Sequence, residues 1–152
     1  MKEKFMKLVL DRAKKAYLED EIPIACLIAR GDEIIAIEHN TKEKDNNPLK
    51  HAEIKCIDKA LKKIGSKYLN DCEIYVNIEP CMMCMGAIIN TRIKKIYISS
   101  LNPKGGFFMS NYEIMKSKSV NHRLEYEIGL LEVESKKLIQ DFFLTKRKNN
   151  KV

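Results

Sequence analysis

The chain of 152 residues fits one ordinary domain, because this length can bury a core but is too short for two full-sized domains. With 45% hydrophobic residues, six glycines and four prolines, the composition excludes a fibrous or disordered protein. The formal net charge of +7 is compatible with a polyanionic partner or simply with a well-solvated surface.

The cysteine content and the apolar runs indicate where the protein works. Five cysteines, an odd number at uneven spacing, argue against a closed disulfide framework and for a reducing compartment. Charges in residues 1–7 occupy the place where a signal peptide needs apolar residues. No apolar run approaches the roughly 18 residues of a membrane span. We therefore expect a soluble, cytoplasmic protein with no membrane association.

Hydrophobic periodicity predicts helices and strands that alternate from residue 22 onward. The predicted helices are 4–19, 51–64, 81–91 and 132–146. The predicted strands are 22–29, 34–37, 72–78, 95–99 and 126–128, with a hairpin turn at Gly31 and Asp32. Residues 101–123 show the weakest pattern. This alternation predicts helices on both faces of a mixed sheet, with functional sites where strands lead into helices.

Two short motifs at predicted strand-to-helix transitions contain candidate metal ligands. The first contains His51, and the second is a Pro80-Cys81-Met82-Met83-Cys84 sequence. Cys81 and Cys84 are three residues apart in a first helical turn, so both sulfurs can face one point, and the helix N-terminus favours thiolates. Two thiolates and an imidazole suit tetrahedral Zn²⁺. Three protein ligands leave one position for water, which is the catalytic arrangement.

Glu53, two residues after His51, is the candidate proton shuttle. A carboxylate beside the metal can take a proton from water and deliver it elsewhere, which suits hydrolytic removal of an amino group from an aromatic ring. A CxxC pair alone also fits a redox pair or half of a structural zinc site, and HxE alone indicates almost nothing. Together they match the known H-x-E…P-C-x-x-C signature of zinc deaminases.

On these motifs the chain resembles the cytidine-deaminase-like superfamily and, within it, the bacterial tRNA-specific adenosine deaminases. The similarity covers residues 4–147 and includes the segments EIPI (21–24), EHN (38–40), NPLKHAEI (47–54), YVNIEPCMMCMGAII (75–89), NHR (121–123) and DFF (141–143). It implies a three-layer α/β/α fold with a mixed sheet of about five strands. Residues 1–152 are predicted to form a single deaminase domain. Residues 146–152 would be a basic tail, for which disorder is an open alternative.

The resemblance also implies an activity and a set of site residues. The activity is conversion of the wobble adenosine, position 34 of a tRNA anticodon, to inosine. One Zn²⁺ per subunit would be held by His51, Cys81 and Cys84, with Glu53 as the proton shuttle. A homodimer is implied, in which the partner subunit helps to build the surface for the tRNA anticodon stem-loop. Substrate contacts are implied for Asn40, Ala52, Asn102, Phe142 and Phe143.

Several of these substrate contacts have alternatives. Asn40 also reads as a turn residue, and Phe142 and Phe143 fit a hydrophobic core equally well. Asn102 stands where relatives usually carry Asp, and this change replaces a charge by N–H donors. The Ala25-Cys26 pair replaces a Gly-Ala pair of the relatives and is interpreted as a packing change.

The basic residues near the C-terminus account for more than half of the net charge. Residues 144–152 contain four basic residues and no acidic one. We expect this tail, with Lys146 and Arg147, to bind phosphates of the anticodon stem.

Two other functions stay open at this point. One is a small-molecule deaminase acting on guanine, cytosine or cytidine. The other is a non-catalytic RNA-binding accessory subunit, against which the intact Glu53 argues. The cysteines outside the motif, Cys26, Cys56 and Cys72, are expected to be ordinary reduced, buried thiols.

Overall fold

One mixed five-stranded sheet organises the chain in the computed structural model, which describes residues 1–149; residues 150–152 lie outside the described part. The strands are β1 (Ala25–Arg30), β2 (Glu33–His39), β3 (Glu73–Ile78), β4 (Lys95–Ser100) and β5 (Glu125–Ile128). The helices are α1 (Lys2–Leu18), α2 (Ala52–Ile64), α3 (Met82–Asn90) and α4 (Glu132–Asn149), with a short 3₁₀ turn at Ile114–Lys116.

The strand order is β2-β1-β3-β4-β5, with β1 antiparallel to both neighbours and β3, β4 and β5 mutually parallel. The β1–β2 hairpin turns at Gly31, whose φ of 59° is accessible to glycine without steric cost. The ends of β2, β3 and β4 and the start of β1 all lie at one edge of the sheet, because Ala25 pairs with His39 and Ile78 pairs with Ser100. This edge is where an open sheet of this kind places its ligand site.

Both faces of the sheet are covered by helices, which confirms the predicted three-layer arrangement. Alternate strand residues point to opposite faces. Ile28, Val76 and Ile98 pack in the cluster that contains α2 and α3 side chains. Leu27 and Tyr75 pack on the other face, where the Phe5 ring meets the Tyr75 ring edge-on at 5.4 Å. Each side chain in these clusters is nearly inaccessible to water, so truncation of one to alanine is expected to cost roughly 2–5 kcal/mol.

The sequence predicts the first strand from residue 22, but β1 begins only at Ala25. Pro23 has no N–H to donate to a strand ladder. Its carbonyl accepts a hydrogen bond from Asn77 Nδ2 at 2.9 Å, and the Ala25 N–H donates to Asn77 Oδ1 at 2.9 Å. At this point the side chain of Asn77, and not a strand backbone, forms the hydrogen bonds. Ile22 and Ile24 lie outside the sheet and line a cavity.

The C-terminal helix is longer than the predicted 132–146, since α4 runs to Asn149. Residues 146–149 of the predicted basic tail therefore form the end of α4, while 150–152 lie outside the described residues. Within residues 1–149, no helix combines the length and the apolar character that crossing a membrane requires.

Candidate active site

Three side chains from two helix N-termini form a group that can hold a metal ion. His51 is the N-cap of α2 and Cys81 is the N-cap of α3, while Cys84 lies in the first turn of α3. The His51 Nδ1 atom lies 3.7 Å from Cys81 Sγ and 3.6 Å from Cys84 Sγ. All three ligand atoms lie within 4.8 Å of one another. The predicted ligands are therefore brought together at the sheet edge.

The spacing of these atoms fits a tetrahedral zinc ion. With Zn–N of about 2.0–2.1 Å and Zn–S of about 2.3 Å, a tetrahedral angle places nitrogen and sulfur ~3.6 Å apart. Both nitrogen–sulfur distances lie close to this value. One imidazole and two thiols are also ligands typical of zinc, whereas calcium and magnesium bind oxygen ligands. The residues present thus fit zinc.

The protonation pattern of this group favours a thiolate at Cys81. A hydrogen bond from Cys84, and then one from His51, lowers the pKa of Cys81 to about 4 despite its burial. The hydrogen bond with Cys81 raises the pKa of His51. The interaction with the Cys81 sulfur also raises the pKa of Cys84, and burial adds to that effect. The positive ends of the two helix dipoles act in the same direction on the anionic sulfur.

Glu53 lies in the first turn of α2, directly beside the ligand group. Glu53 is 3% exposed, and this burial raises its pKa to about 7. A hydrogen bond with its own backbone lowers the pKa, but by less than burial raises it. A carboxyl group with a pKa near the working pH can both accept and donate a proton, which is the property required of a general acid–base.

A cavity of about 170 Å³ opens beside the ligand group. It is smaller than the roughly 300–1,000 Å³ typical of sites for whole drug-sized ligands. Its lining combines apolar and polar side chains: Ile22, Ile24, Asn40, Lys42, His51, Ala52, Glu53, Ile78, Glu79, Cys81, Asn102 and Gly105. The cavity is therefore large enough for a small group that meets both apolar and polar side chains.

Three of the predicted substrate contacts line this cavity. Asn40 is 6% exposed, and its Oδ1 accepts a hydrogen bond from the Lys42 N–H at 3.2 Å, which leaves its Nδ2 group as a donor. Ala52 begins α2 between the ligand His51 and Glu53. Asn102 follows β4, and its Oδ1 accepts hydrogen bonds from Lys104 N–H and Gly105 N–H at 3.3 Å each.

A second cavity, of about 330 Å³, adjoins the first, because Ile22, Asn40 and Lys42 line both. The predicted residues Phe142, Phe143 and Lys146 line this second cavity. The Phe142 ring is 5% exposed and packs edge-on against Tyr17 at 5.5 Å, so Phe142 is also a core residue. Phe143 is 41% exposed.

The two predicted basic contacts at the end of α4 have different surroundings. The Lys146 Nζ atom lies 2.8 Å from the Asp20 carboxylate. Arg147 is exposed and lines neither of these two cavities.

The sequence reasoning missed two kinds of cavity residue. Ile22 and Ile24 were assigned to a strand, although Pro23 between them was a signal against a continuous ladder. Glu79 directly precedes Pro80 and Cys81, and no functional role was assigned to it. It is 2% exposed. Burial would raise the pKa of Glu79, but N–H groups of Met109 and Ser110 and the Ser110 hydroxyl outweigh that effect and lower it.

The remaining cysteines are buried and unpaired, as predicted. Cys26, Cys56 and Cys72 form no disulfide. The Cys56 thiol donates to the Cys26 carbonyl at 3.4 Å in the core. Burial raises the pKa of Cys72 to about 11. These thiols are therefore expected to react slowly in the folded protein.

Comparison with known proteins gives concordant results from sequence and structure. A family model described as MafB19-like deaminase matches residues 1–147. The chain is 38% identical over 148 residues to the tRNA-specific adenosine deaminase of Aquifex aeolicus, covering 97% of each. It is 36% identical over 149 residues to the tRNA-specific adenosine deaminase of Bacillus subtilis, covering 98% of this chain and 92% of the relative.

Among solved structures, the chain is similar to one from a study of A-to-I editing by tRNA:A34 deaminases at the wobble position of transfer RNA. The TM-score is 0.85 at 34% identity, over 88% of this chain and 97% of that one. The similarity thus extends over nearly the whole described chain.

Proposed function

The chain belongs to the MafB19-like deaminase family, and on this basis we propose that it is a zinc-dependent hydrolase that converts adenosine 34 of a tRNA anticodon to inosine. The observation that carries the proposal is the arrangement of one cavity. Two of the three candidate metal ligands, His51 and Cys81, line a space of about 170 Å³ together with Glu53, a buried carboxyl group with a pKa near 7, and this space suits a single base.

His51, Cys81 and Cys84 would hold one Zn²⁺ per subunit. The bound ion would supply a Lewis acid that makes water nucleophilic near neutral pH. The two helix N-termini position the ligand atoms, since His51 and Cys81 are the N-caps of α2 and α3. The fold of the protein therefore fixes the ligand geometry.

Glu53 would move the protons of the reaction. Water would add to C6 of adenine while Glu53 accepts one proton from that water and delivers it to N1. Glu53 would then accept the remaining proton from the new C6 hydroxyl and deliver it to the amino group, so that the C6–N bond breaks, ammonia leaves and a C6 carbonyl forms. Burial is what suits Glu53 to both steps, because it keeps the pKa of the carboxyl group near 7.

The cavity walls would bind and orient the base. Ile22 and Ile24 offer apolar surface to the ring. Asn40 Nδ2 and the backbone of Ala52 offer polar contacts to its edge, and Asn102 would contact the sugar–phosphate side of the nucleotide. An anticodon loop is already single-stranded, so turning one of its bases into the cavity has a small energetic cost.

The second cavity and the end of α4 would contact the flanking RNA. Phe143 is exposed enough to stack on a neighbouring base, and Phe142 would support it from the core. Lys146 would exchange its Asp20 partner for a phosphate, and Arg147 and the rest of the basic tail would add to the attraction.

We further propose that the protein is a homodimer and works in the cytoplasm. Apolar side chains near the metal group support a partner subunit: Leu49 is 57% exposed and Met82 is 66% exposed. Burial of such side chains between two copies would be favourable. The five free thiols support a reducing compartment, and sedimentation of the zinc-loaded protein tests the dimer.

A substrate panel tests the proposed function against its alternatives. Zinc-loaded protein is incubated with an anticodon stem-loop carrying A34, with the same stem-loop carrying G34, and with free guanine, cytosine and cytidine. We expect ammonia release from the A34 stem-loop alone. Release from a free base or nucleoside would assign a small-molecule deaminase, and RNA binding without release from any substrate would assign a non-catalytic subunit.

A further inference from the structure

Glu79 is a buried carboxylate whose partners all belong to one distant segment. It lies between the end of β3 and the metal ligand Cys81 and is 2% exposed. Its Oε1 accepts hydrogen bonds from the Asn102 N–H at 3.0 Å and from the Ser110 hydroxyl. Its Oε2 accepts from three successive backbone N–H groups, those of Phe108, Met109 and Ser110, at 2.9, 2.7 and 2.9 Å.

These donors replace the cation that a buried carboxylate usually requires. Burial of an ionised carboxylate without compensation is costly, and three consecutive N–H groups form a recognised anion-binding concavity. A carboxylate has about four lone-pair positions, so the donors of segment 102–110 saturate Glu79. Its oxygens are consequently not available for proton transfer.

Gly106 shows how closely the segment passes the carboxylate. A Cβ atom on Gly106 would lie 2.3 Å from Glu79 Cδ and Oε1 and 2.7 Å from the Asn102 carbonyl oxygen. No side chain fits there. Backbone hydrogen bonds complete the anchoring: Gly106 N–H donates to Asn102 O at 2.8 Å, and Phe107 N–H donates to Pro80 O at 2.8 Å.

Segment 102–110 contains no helix or strand, so its shape depends on these anchors. Two of its residues, Asn102 and Gly105, line the same cavity as Glu53. We infer that Glu79 is the positioning residue that holds the substrate-facing segment 102–110 over the cavity. This inference rests on the proposed function, since it assigns the segment to the nucleotide.

The inference predicts an effect on substrate affinity rather than on the chemical step. In Glu79→Gln the new NH₂ group faces N–H donors and the charge is lost, so the segment should leave its position. Because hydrogen bonds to a charged group are the strong ones, we expect KM for the A34 stem-loop to rise roughly tenfold or more, with kcat changed less than about threefold and zinc content unchanged. Glu73→Gln is the control, because Glu73 begins β3 at the end far from Glu79, and among the described residues its side chain forms a salt bridge with Lys94 alone.

A second variant approaches the same contact from the segment. Gly106→Ala leaves Glu79 intact but places a Cβ in the contact, and it should raise KM in the same way. Gly86→Ala is its matched control, because a Cβ there meets nothing within 4 Å. Unchanged KM in both test variants, or a loss of kcat or zinc with KM unchanged, would overturn the assignment.

Amide hydrogen exchange on the wild-type protein tests the contact without any substitution. The N–H groups of Phe108, Met109 and Ser110 should exchange at least about tenfold more slowly than that of the neighbouring exposed Asn111, whose N–H has no acceptor among residues 1–149. Equal rates would overturn the role of Glu79. Failure of the proposed function is distinguishable, because it would appear as a wild-type protein that forms no inosine, whereas the exchange rates would still report on Glu79.

Discussion

Replacement of Glu53 by glutamine is predicted to abolish proton transfer while leaving the metal group in place. Glutamine keeps the length and shape of the buried side chain but cannot cycle a proton. Glu79, the other carboxyl group in the cavity lining, cannot substitute because its oxygens are occupied by backbone donors, and His51 and Cys81 would bind the metal. A general acid–base contributes typically about 10²–10⁴ in rate. Because Glu53 would serve more than one transfer, we expect kcat to fall by roughly 10³ or more, about 4 kcal/mol in the barrier.

Single-turnover conversion of an A34 stem-loop measures this loss apart from product release. Zinc content and stem-loop affinity are measured on the same samples, and both should match the wild type, because Glu53 is not a ligand. Glu53→Ala should give the same loss with the same zinc content, and Glu73→Gln should behave as wild type. Turnover within about tenfold of wild type in a zinc-loaded Glu53→Gln variant would refute the shuttle role.

Three further predictions concern the metal, the base and the tail. Removal of zinc by a chelator should abolish activity and expose the half-buried Cys81 thiol to a thiol reagent, with the four buried cysteines reacting only on unfolding. Five fast thiols would contradict the described burial. Asn40→Ala should weaken kcat/KM by roughly tenfold, the size of one net hydrogen bond, without loss of zinc; unchanged kcat/KM would return Asn40 to a turn role. Deletion of residues 146–152 should weaken stem-loop binding and lower the slope of log Kd against log salt concentration, by up to about 0.7–0.9 per lost phosphate contact. Binding unchanged at several salt concentrations would assign the tail charge to solubility.

The metal group was predictable because each of its two parts belongs to a short sequence motif at the start of a helix. Cys81 and Cys84 occupy one helical turn, and Pro80 marks where that turn begins. His51 is remote in sequence, but its motif marks a second helix start, and the sheet brings the two starts to one edge. The periodicity of apolar residues likewise predicted four helices and five strands with boundaries mostly within a few residues.

The cavity walls were not predictable in the same way, since they depend on contacts between distant segments. Ile22 and Ile24 continue the apolar run of β1. Pro23 argues against a strand there, but the contacts that take its place come from the side chain of Asn77, more than 50 residues later. Glu79 has partners 23 to 31 residues downstream, in the stretch with the weakest sequence pattern. Such a stretch has no periodic pattern of apolar residues that would predict its shape, because hydrogen bonds to a carboxylate, and not a ladder of backbone hydrogen bonds, fix that shape.

Position-resolved measurement of inosine tests the central claim most directly. An anticodon stem-loop with adenosines at positions 34 and 35 is incubated with zinc-loaded protein and read by sequencing, with Glu53→Ala as the background. The account predicts inosine at position 34, none at position 35, and none at either position with the variant. No inosine at position 34 from fully zinc-loaded wild-type protein would contradict it.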